Sequence, residues 1–140
     1  MTRRRDAGFT LIEILVVVVI LGILGAVVAP NLLSRPDQAR VTAAKTTLQN
    51  IGNALDMYRL DNFTYPSSDQ GLEALVTRPS GFPEAKNWNP DGYIDNYMDP
   101  WGNEYVYVNT GTNFELLSYG ADGAQGGDGT GADISYADLP

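Results

Sequence analysis

The chain has 140 residues and a formal net charge of −8, with 17 Asp and Glu against nine Lys and Arg, and neither Cys nor His. That length holds one domain of ordinary size, and the missing residue types exclude disulfides, thiolate zinc sites and thiol chemistry while removing the commonest general base and metal ligand. The charge is segregated: three of the arginines are Arg3, Arg4 and Arg5, no cation follows Lys86, and nine Asp or Glu do, which argues against a nucleic-acid partner and suits a bound cation at the acidic end.

From Phe9 to Ala29 run 21 residues with a single ionisable group, Glu13. As a helix this stretch is roughly 32 Å long, enough to cross a bilayer core. It exceeds the apolar region of a secretory signal and lacks a small-x-small cleavage site. A transmembrane anchor fits better, with the arginines cytoplasmic and the chain from Pro30 onward outside. A carboxylate in such a span costs several kcal/mol unless it finds a partner. Cleavage between Gly8 and Phe9 would remove the arginines and expose an α-ammonium at Phe9, four residues from Glu13. The carboxylate then pairs with its own terminus or with that of a neighbouring subunit, where its unpaired cost penalises wrong register. "RRRDAG" followed by "FTLIEILVVVVILGILGAVVAP" resembles the class III signal of type IV pilins and pseudopilins. The resemblance implies a prepilin peptidase that cuts after Gly8 and methylates Phe9, with Glu13 as the assembly glutamate.

Pro30, below Gly22 and Gly25, interrupts the apolar run. It reads equally as punctuation at the bilayer exit and as a weak helical segment able to stretch when subunits pack. Beyond it, Ser34 or Asp37 can cap a new helix with Pro36 in its first turn. Val41, Ala44, Leu48, Ile51, Leu55 and Tyr58 recur at spacings of three and four, one apolar stripe that predicts an amphipathic helix laid on a small sheet. Arg40, Lys45, Asp56 and Arg59 fall off the stripe. Pro66 ends the helical pattern, and the serines after it can cap a short helix over "DQGLEALV". Residues 78–98 read as a loop pinned by Trp88, Tyr93 and Tyr97. "NEYVYV" and "FELLSY" read as strands joined by the turn "NTGTN", with a tight turn over 99–102 leading in. The fold class expected is α+β, a long N-terminal helix, made of a membrane part plus an amphipathic part, packed on a small antiparallel sheet.

The acidic end, "SYGADGAQGGDGTGADISY", places Asp122, Asp128 and Asp133 among glycines. Its spacing matches an EF-hand loop at the ends and at Gly127 but lacks carboxylates at Ala124 and Gly126. The residues alone fit a calcium loop and a solvated Gly/Asp tail equally. The stretch 34–76, "DPWGNEYVYV" and "LSYGADG" together resemble the major pseudopilins of bacterial type II secretion systems. That resemblance implies a leader over 1–8, a transmembrane and assembly helix over 9–30 and a periplasmic domain over 31–140. It implies a single-pass inner-membrane subunit that polymerises into a periplasmic pseudopilus and drives export of folded proteins across the outer membrane. The implied partners are further copies of the chain, minor pseudopilins, the prepilin peptidase, an inner-membrane assembly platform and membrane lipid. It also implies a Ca²⁺-stabilised C-terminal loop with Asp122, Asp133 and Asp128 as ligands, joined by the backbone carbonyls of Tyr119 and Thr130. In place of the family's frequent Gly-Asn-Trp after "ADI", this chain has "SYA". Two other readings fit parts of the chain: a type IV pilin or DNA-uptake pseudopilin, which shares the N-terminal segment, and a membrane-tethered enzyme using carboxylates. No nucleophile motif or phosphate loop supports the enzyme.

Overall fold

The structure is a computed structural model that describes residues 8–140, and residues 30–34 by their backbone alone. The leader arginines of the sequence reading, and the side chain of Ser34, lie outside the described residues. The chain divides into two compact units, residues 1–36 and 37–140.

Helix α1 runs Leu11–Asn62 without a break. The membrane part and the amphipathic part form the one long helix expected, although the separate cap near Asp37 is not seen. A proline removes only its own N–H from the ladder, leaving the carbonyl four residues earlier without its usual donor, and good helix formers on both sides can absorb that loss. Asp37 sits inside the helix and pairs with Arg40 at 3.5 Å. In the first unit, Leu11–Ala29 is long and apolar enough to cross a membrane, and its side chains are exposed.

In the second unit the predicted stripe is the core. Ala44, Leu48, Ile51, Leu55 and Tyr58 are buried, Ala54 joins them, and Val41 packs at the edge. Burying a Leu or Ile of this kind contributes about 1.5–3 kcal/mol. Against the stripe lie Tyr65, Leu72, Leu75, Tyr105, Tyr107, Leu116 and Ile134. The Tyr107 hydroxyl donates to the Pro66 carbonyl at 2.7 Å and that of Tyr105 to the Ala44 carbonyl at 3.4 Å. Burial pushes the Tyr105 phenol up to about 12 and raises that of Tyr107 as well.

After α1 the chain turns at Phe63, whose N–H donates to the Arg59 carbonyl at 2.7 Å with a φ of 66°. Ser67 and Gln70 then form a reciprocal cap: the Gln70 N–H donates to Ser67 Oγ at 3.1 Å and the Ser67 N–H to Gln70 Oε1 at 2.9 Å. The helix that follows is a single 3-10 turn, Leu72–Leu75, shorter than expected because Gly71 takes a φ of 61° that an α-helix cannot continue through. The loop over 78–98 is fastened as anticipated. Trp88 Nε1 donates to the Ala74 carbonyl at 2.8 Å and the Tyr93 hydroxyl to Asp61 Oδ2 at 2.8 Å.

Strands β1 (Val106–Asn109) and β2 (Phe114–Ser118) form the expected hairpin, with Val106 opposite Leu117 and Asn109 opposite Phe114. A third strand, β3 (Ile134–Ser135), pairs antiparallel with β2 and was not foreseen. It returns the chain to α1, where the Tyr136 ring lies flush on Gly52. A Cβ built on Gly52 would stand 2.5 Å from Tyr136 Cζ, so only glycine admits the ring. Tyr136 also packs on Phe114, ring centres 5.5 Å apart. The "SYA" variation thus supplies its own anchor for the last residues. Gly52→Ala is expected to lift Tyr136 away and destabilise the domain by about 1–3 kcal/mol, as overpacking does. In the double variant with Tyr136→Ala the two costs should be strongly non-additive, because they remove one contact. Thermal midpoints of the four proteins check this; simple additivity would overturn it.

Candidate functional site

Two groups of residues singled out by the sequence are built separately, one in each unit. At the N-terminal end, Gly8 and Phe9 precede α1. Phe9 is 79% exposed, and a Cβ built on Gly8 would meet no atom within 4 Å. Among the described residues, no packing contact requires glycine there. Thr10 caps the helix: its carbonyl accepts from the N–H groups of Glu13 and Ile14 at 3.1 and 3.3 Å, and its Oγ1 accepts from the Glu13 N–H at 3.3 Å. Thr10-Leu11-Ile12-Glu13 has the spacing of a capping box, a signal present in the sequence that periodicity alone passes over. Phe9 therefore precedes the cap, and its relation to Glu13 runs across the helix start rather than up one helical turn. Glu13 lies in the first turn, where the helix dipole favours an anion. Its side chain is exposed and has no partner among the described residues.

In the second unit the acidic segment follows β2. Its root is held by Asp99, buried at 5% exposure. Asp99 Oδ1 accepts from the N–H groups of Trp101 at 3.0 Å and Asn103 at 2.8 Å, and Oδ2 from the Ser118 hydroxyl at 3.1 Å. Ser118 Oγ in turn accepts from the Gly120 N–H at 3.1 Å. The turn at 99–103 is thus also a clamp on the loop. Composition identifies the turn; the partner across the sheet is visible only in three dimensions.

The loop closes on itself. The Ala121 N–H donates to the Thr130 carbonyl at 2.9 Å, and a Cβ on Gly120, whose φ is 71°, would meet the Ala132 carbonyl oxygen at 2.7 Å. Asp122 Oδ1 accepts from the Ala124 N–H at 3.1 Å. Its Oδ2 fills space that side chains would occupy, 2.7 Å from a Cβ built on Gly127 and 2.9 Å from one on Gly131. Asp133 Oδ2 accepts from the Gly126 N–H at 3.0 Å. The Asp128 carbonyl accepts from the Gly131 N–H at 3.0 Å, while its exposed side chain has no partner among the described residues. Tyr119 is half-buried at the root. Among the described residues no three His, Cys, Asp or Glu side chains gather closely enough to hold a metal by themselves. What the loop offers a cation is a small set of carboxylates in a cradle of glycine backbone, with carbonyl oxygens nearby. Such hard donors suit Ca²⁺.

Comparison with known proteins covers both ends. The family "Type II secretion system (T2SS), protein G" matches residues 31–137, and the prokaryotic N-terminal methylation motif matches residues 3–29. The chain is 60% identical over 141 residues to the type II secretion system core protein G of Pseudomonas aeruginosa, covering 99% of each. It is 52% identical to that of Vibrio cholerae over 134 residues, covering 94% of this chain and 91% of the relative. Its fold matches the crystal structure of the major pseudopilin from the type 2 secretion system of enterohaemorrhagic Escherichia coli, with a TM-score of 0.65 and 40% identity over 79% of this chain and 96% of that one. An exposed N-terminal apolar helix carrying the methylation motif, joined to this α+β domain, makes the chain a member of the type II secretion system protein G family, the major pseudopilins.

Proposed function

We infer that the chain is the main building block of a type II secretion pseudopilus, polymerising in the periplasm to move folded proteins across the outer membrane. Supporting this is one juxtaposition: an open Gly8–Phe9 bond directly before a capped apolar helix that carries a lone carboxylate. A prepilin peptidase cutting after Gly8 leaves Phe9 as a charged terminus, which methylation keeps charged. The helix Leu11–Ala29 holds the subunit in the inner membrane until it is drawn into the filament. Glu13, costly in lipid when alone, is neutralised by the terminus of an adjacent copy as protomers stack. Assembly also engages minor pseudopilins and an inner-membrane platform, and needs no nucleic acid.

In the periplasmic domain, Asp122 and Asp133 are the carboxylates best placed to hold Ca²⁺, with the carbonyls of Thr130 and Tyr119 and the side chain of Asp128 as further oxygen donors. The glycine cradle around Asp122 Oδ2 is what supports this reading. Bound there, the ion would supply positive charge to a segment that otherwise stacks carboxylates and carbonyls. The residues' own part is to hold the two ends of the loop together.

Mass spectrometry of the purified protein should find a mature chain that begins at Phe9 with one added methyl group. A chain that keeps Arg3, Arg4 and Arg5 overturns the processing and assembly scheme. Deleting the gene should abolish exoprotein export and leave twitching and transformation intact; the reverse pattern would indicate a type IV pilin or a DNA-uptake subunit.

A further inference from the structure

We propose that Lys45 is the chain's own counter-cation for the acidic loop, and that it sets how tightly the loop holds Ca²⁺. Four acids lie between Tyr119 and Pro140, and no cation follows Lys86, so positive charge from the chain reaches that segment only from an earlier element. Helix α1 supplies it. Val41, Lys45, Gln49 and Gly52 follow at spacings of four, four and three, which makes them one ridge of the helix. The other members of the ridge are all applied to the segment that closes the loop. Gln49 Nε2 donates to the Pro140 carbonyl at 3.4 Å, Gly52 carries the Tyr136 ring, and Val41 lines a cleft of about 320 Å³ with Gly129 and Leu139. Lys45 lines the same cleft, together with Asp133 and Asp138.

The ammonium shares a cleft with two carboxylates and is bound to neither: among the described residues the one ion pair is Arg40 with Asp37. Asp133 is engaged at one oxygen. Its Oδ2 accepts from the Gly126 N–H at 3.0 Å, which leaves Oδ1 without a partner among the described residues. The Asp138 side chain is exposed. Lysine suits such a position, because its compact charge rides on a flexible four-carbon stem, long enough to meet a carboxylate and loose enough to leave one. With no ion in the loop, Lys45 offsets the carboxylates and keeps the closing segment against α1. With Ca²⁺ on Asp122 and Asp133, the same charge repels the ion and lowers its affinity. Lys45 therefore narrows the difference in stability between the ion-free and the ion-bound subunit.

This role rests on the calcium reading of the loop, and the test separates the two. Wild type, Lys45→Gln, Lys45→Arg and Arg40→Gln are purified as the processed full chain in non-ionic detergent, stripped of metal with a chelator, and titrated calorimetrically with CaCl₂. Arg40→Gln removes the same charge from the same helix, but from a residue already paired with Asp37. Lys45→Gln should bind Ca²⁺ about three- to tenfold more tightly than wild type at ~0.02 M salt, and the difference should shrink to about twofold or less at ~0.5 M as the charge is screened. Lys45→Arg and Arg40→Gln should match wild type. In chelator the thermal midpoint of Lys45→Gln should lie about 3–8 °C below that of wild type, the same coupling read as heat, and in saturating Ca²⁺ the two midpoints should nearly coincide. If wild type takes up no Ca²⁺, the calcium reading falls and this role with it. If wild type binds and Lys45→Gln binds with equal or weaker affinity, the role of Lys45 alone falls. A shift in Arg40→Gln as large as that in Lys45→Gln would also overturn it, by assigning the effect to net charge rather than to this position.

Discussion

Glu13→Lys leaves the leader cleaved after Gly8 and abolishes filament growth. The Thr10 cap survives the change because it uses the backbone N–H of residue 13, and Gly8 and Phe9 are already exposed. What changes is the charge that meets an incoming α-ammonium. Opposite unit charges about 4 Å apart attract by about 4 kcal/mol at an effective dielectric constant of ~20, and each ~1.4 kcal/mol is tenfold in an equilibrium constant. Lysine turns that attraction into repulsion at every subunit interface, so even a strongly screened version of the effect removes assembly. Glu13→Gln, which keeps a hydrogen-bond acceptor but no charge, should fall between. Immunoblots of sheared filaments, paired with mass spectrometry of the N-terminus, read both steps. Wild-type filament yield from Glu13→Lys would remove the carboxylate from the assembly mechanism.

The parts of this molecule that could be read from the chain are those with local periodicity. The stripe from Val41 to Tyr58 became the core because its spacing is that of a helix face, and "NTGTN" marked a hairpin because turn residues separate two runs rich in β-formers. The N-terminal methylation motif was recognisable because charge, glycine and apolar length change abruptly within a few residues. What escaped were pairings between distant positions. Gly52 is an unremarkable small residue in a helix until Tyr136 arrives 84 positions later to lie on it. Asp99 looks like an ordinary turn residue, yet it is buried because Ser118 and the turn's own N–H groups satisfy it. Strand β3 has two residues, too few for any alternation to show. Pro30 reads as punctuation or a weak segment and Pro36 as part of a first turn, but a proline's local cost does not decide where a 52-residue helix starts or stops. Thr10 is the exception: its capping box was local and readable, but a hydrophobicity-led reading gives polar residues beside a membrane span little attention.

Removing Ca²⁺ from the processed protein should lower its thermal midpoint markedly. A ligand that binds only the folded state stabilises it by about 2.7 kcal/mol when present at ~100 times its dissociation constant. For a domain of roughly a hundred residues that corresponds to about 10–20 °C. The loop explains why the effect should be large and also bounded. Asp122 and Asp133 accept from the backbone N–H groups of Ala124 and Gly126, so the loop's closure rests in part on two carboxylates that a bound cation would also engage. β3 and Tyr136 follow directly, and loss of the loop frees both from β2 and α1. The clamp of Asp99 on Ser118 lies before the loop and on the buried side, so the helix stripe and the β1–β2 hairpin should remain folded without the ion. Hydrogen exchange should therefore quicken over 119–138 and stay slow at Leu48, Ile51 and Leu55. Asp122→Ala should melt at the chelated value with or without added Ca²⁺, and Mg²⁺, which demands tighter octahedral geometry and gives up water reluctantly, should not restore wild type after chelation. An identical midpoint for wild type in chelator and in Ca²⁺ would show that the glycine cradle closes on hydrogen bonds alone.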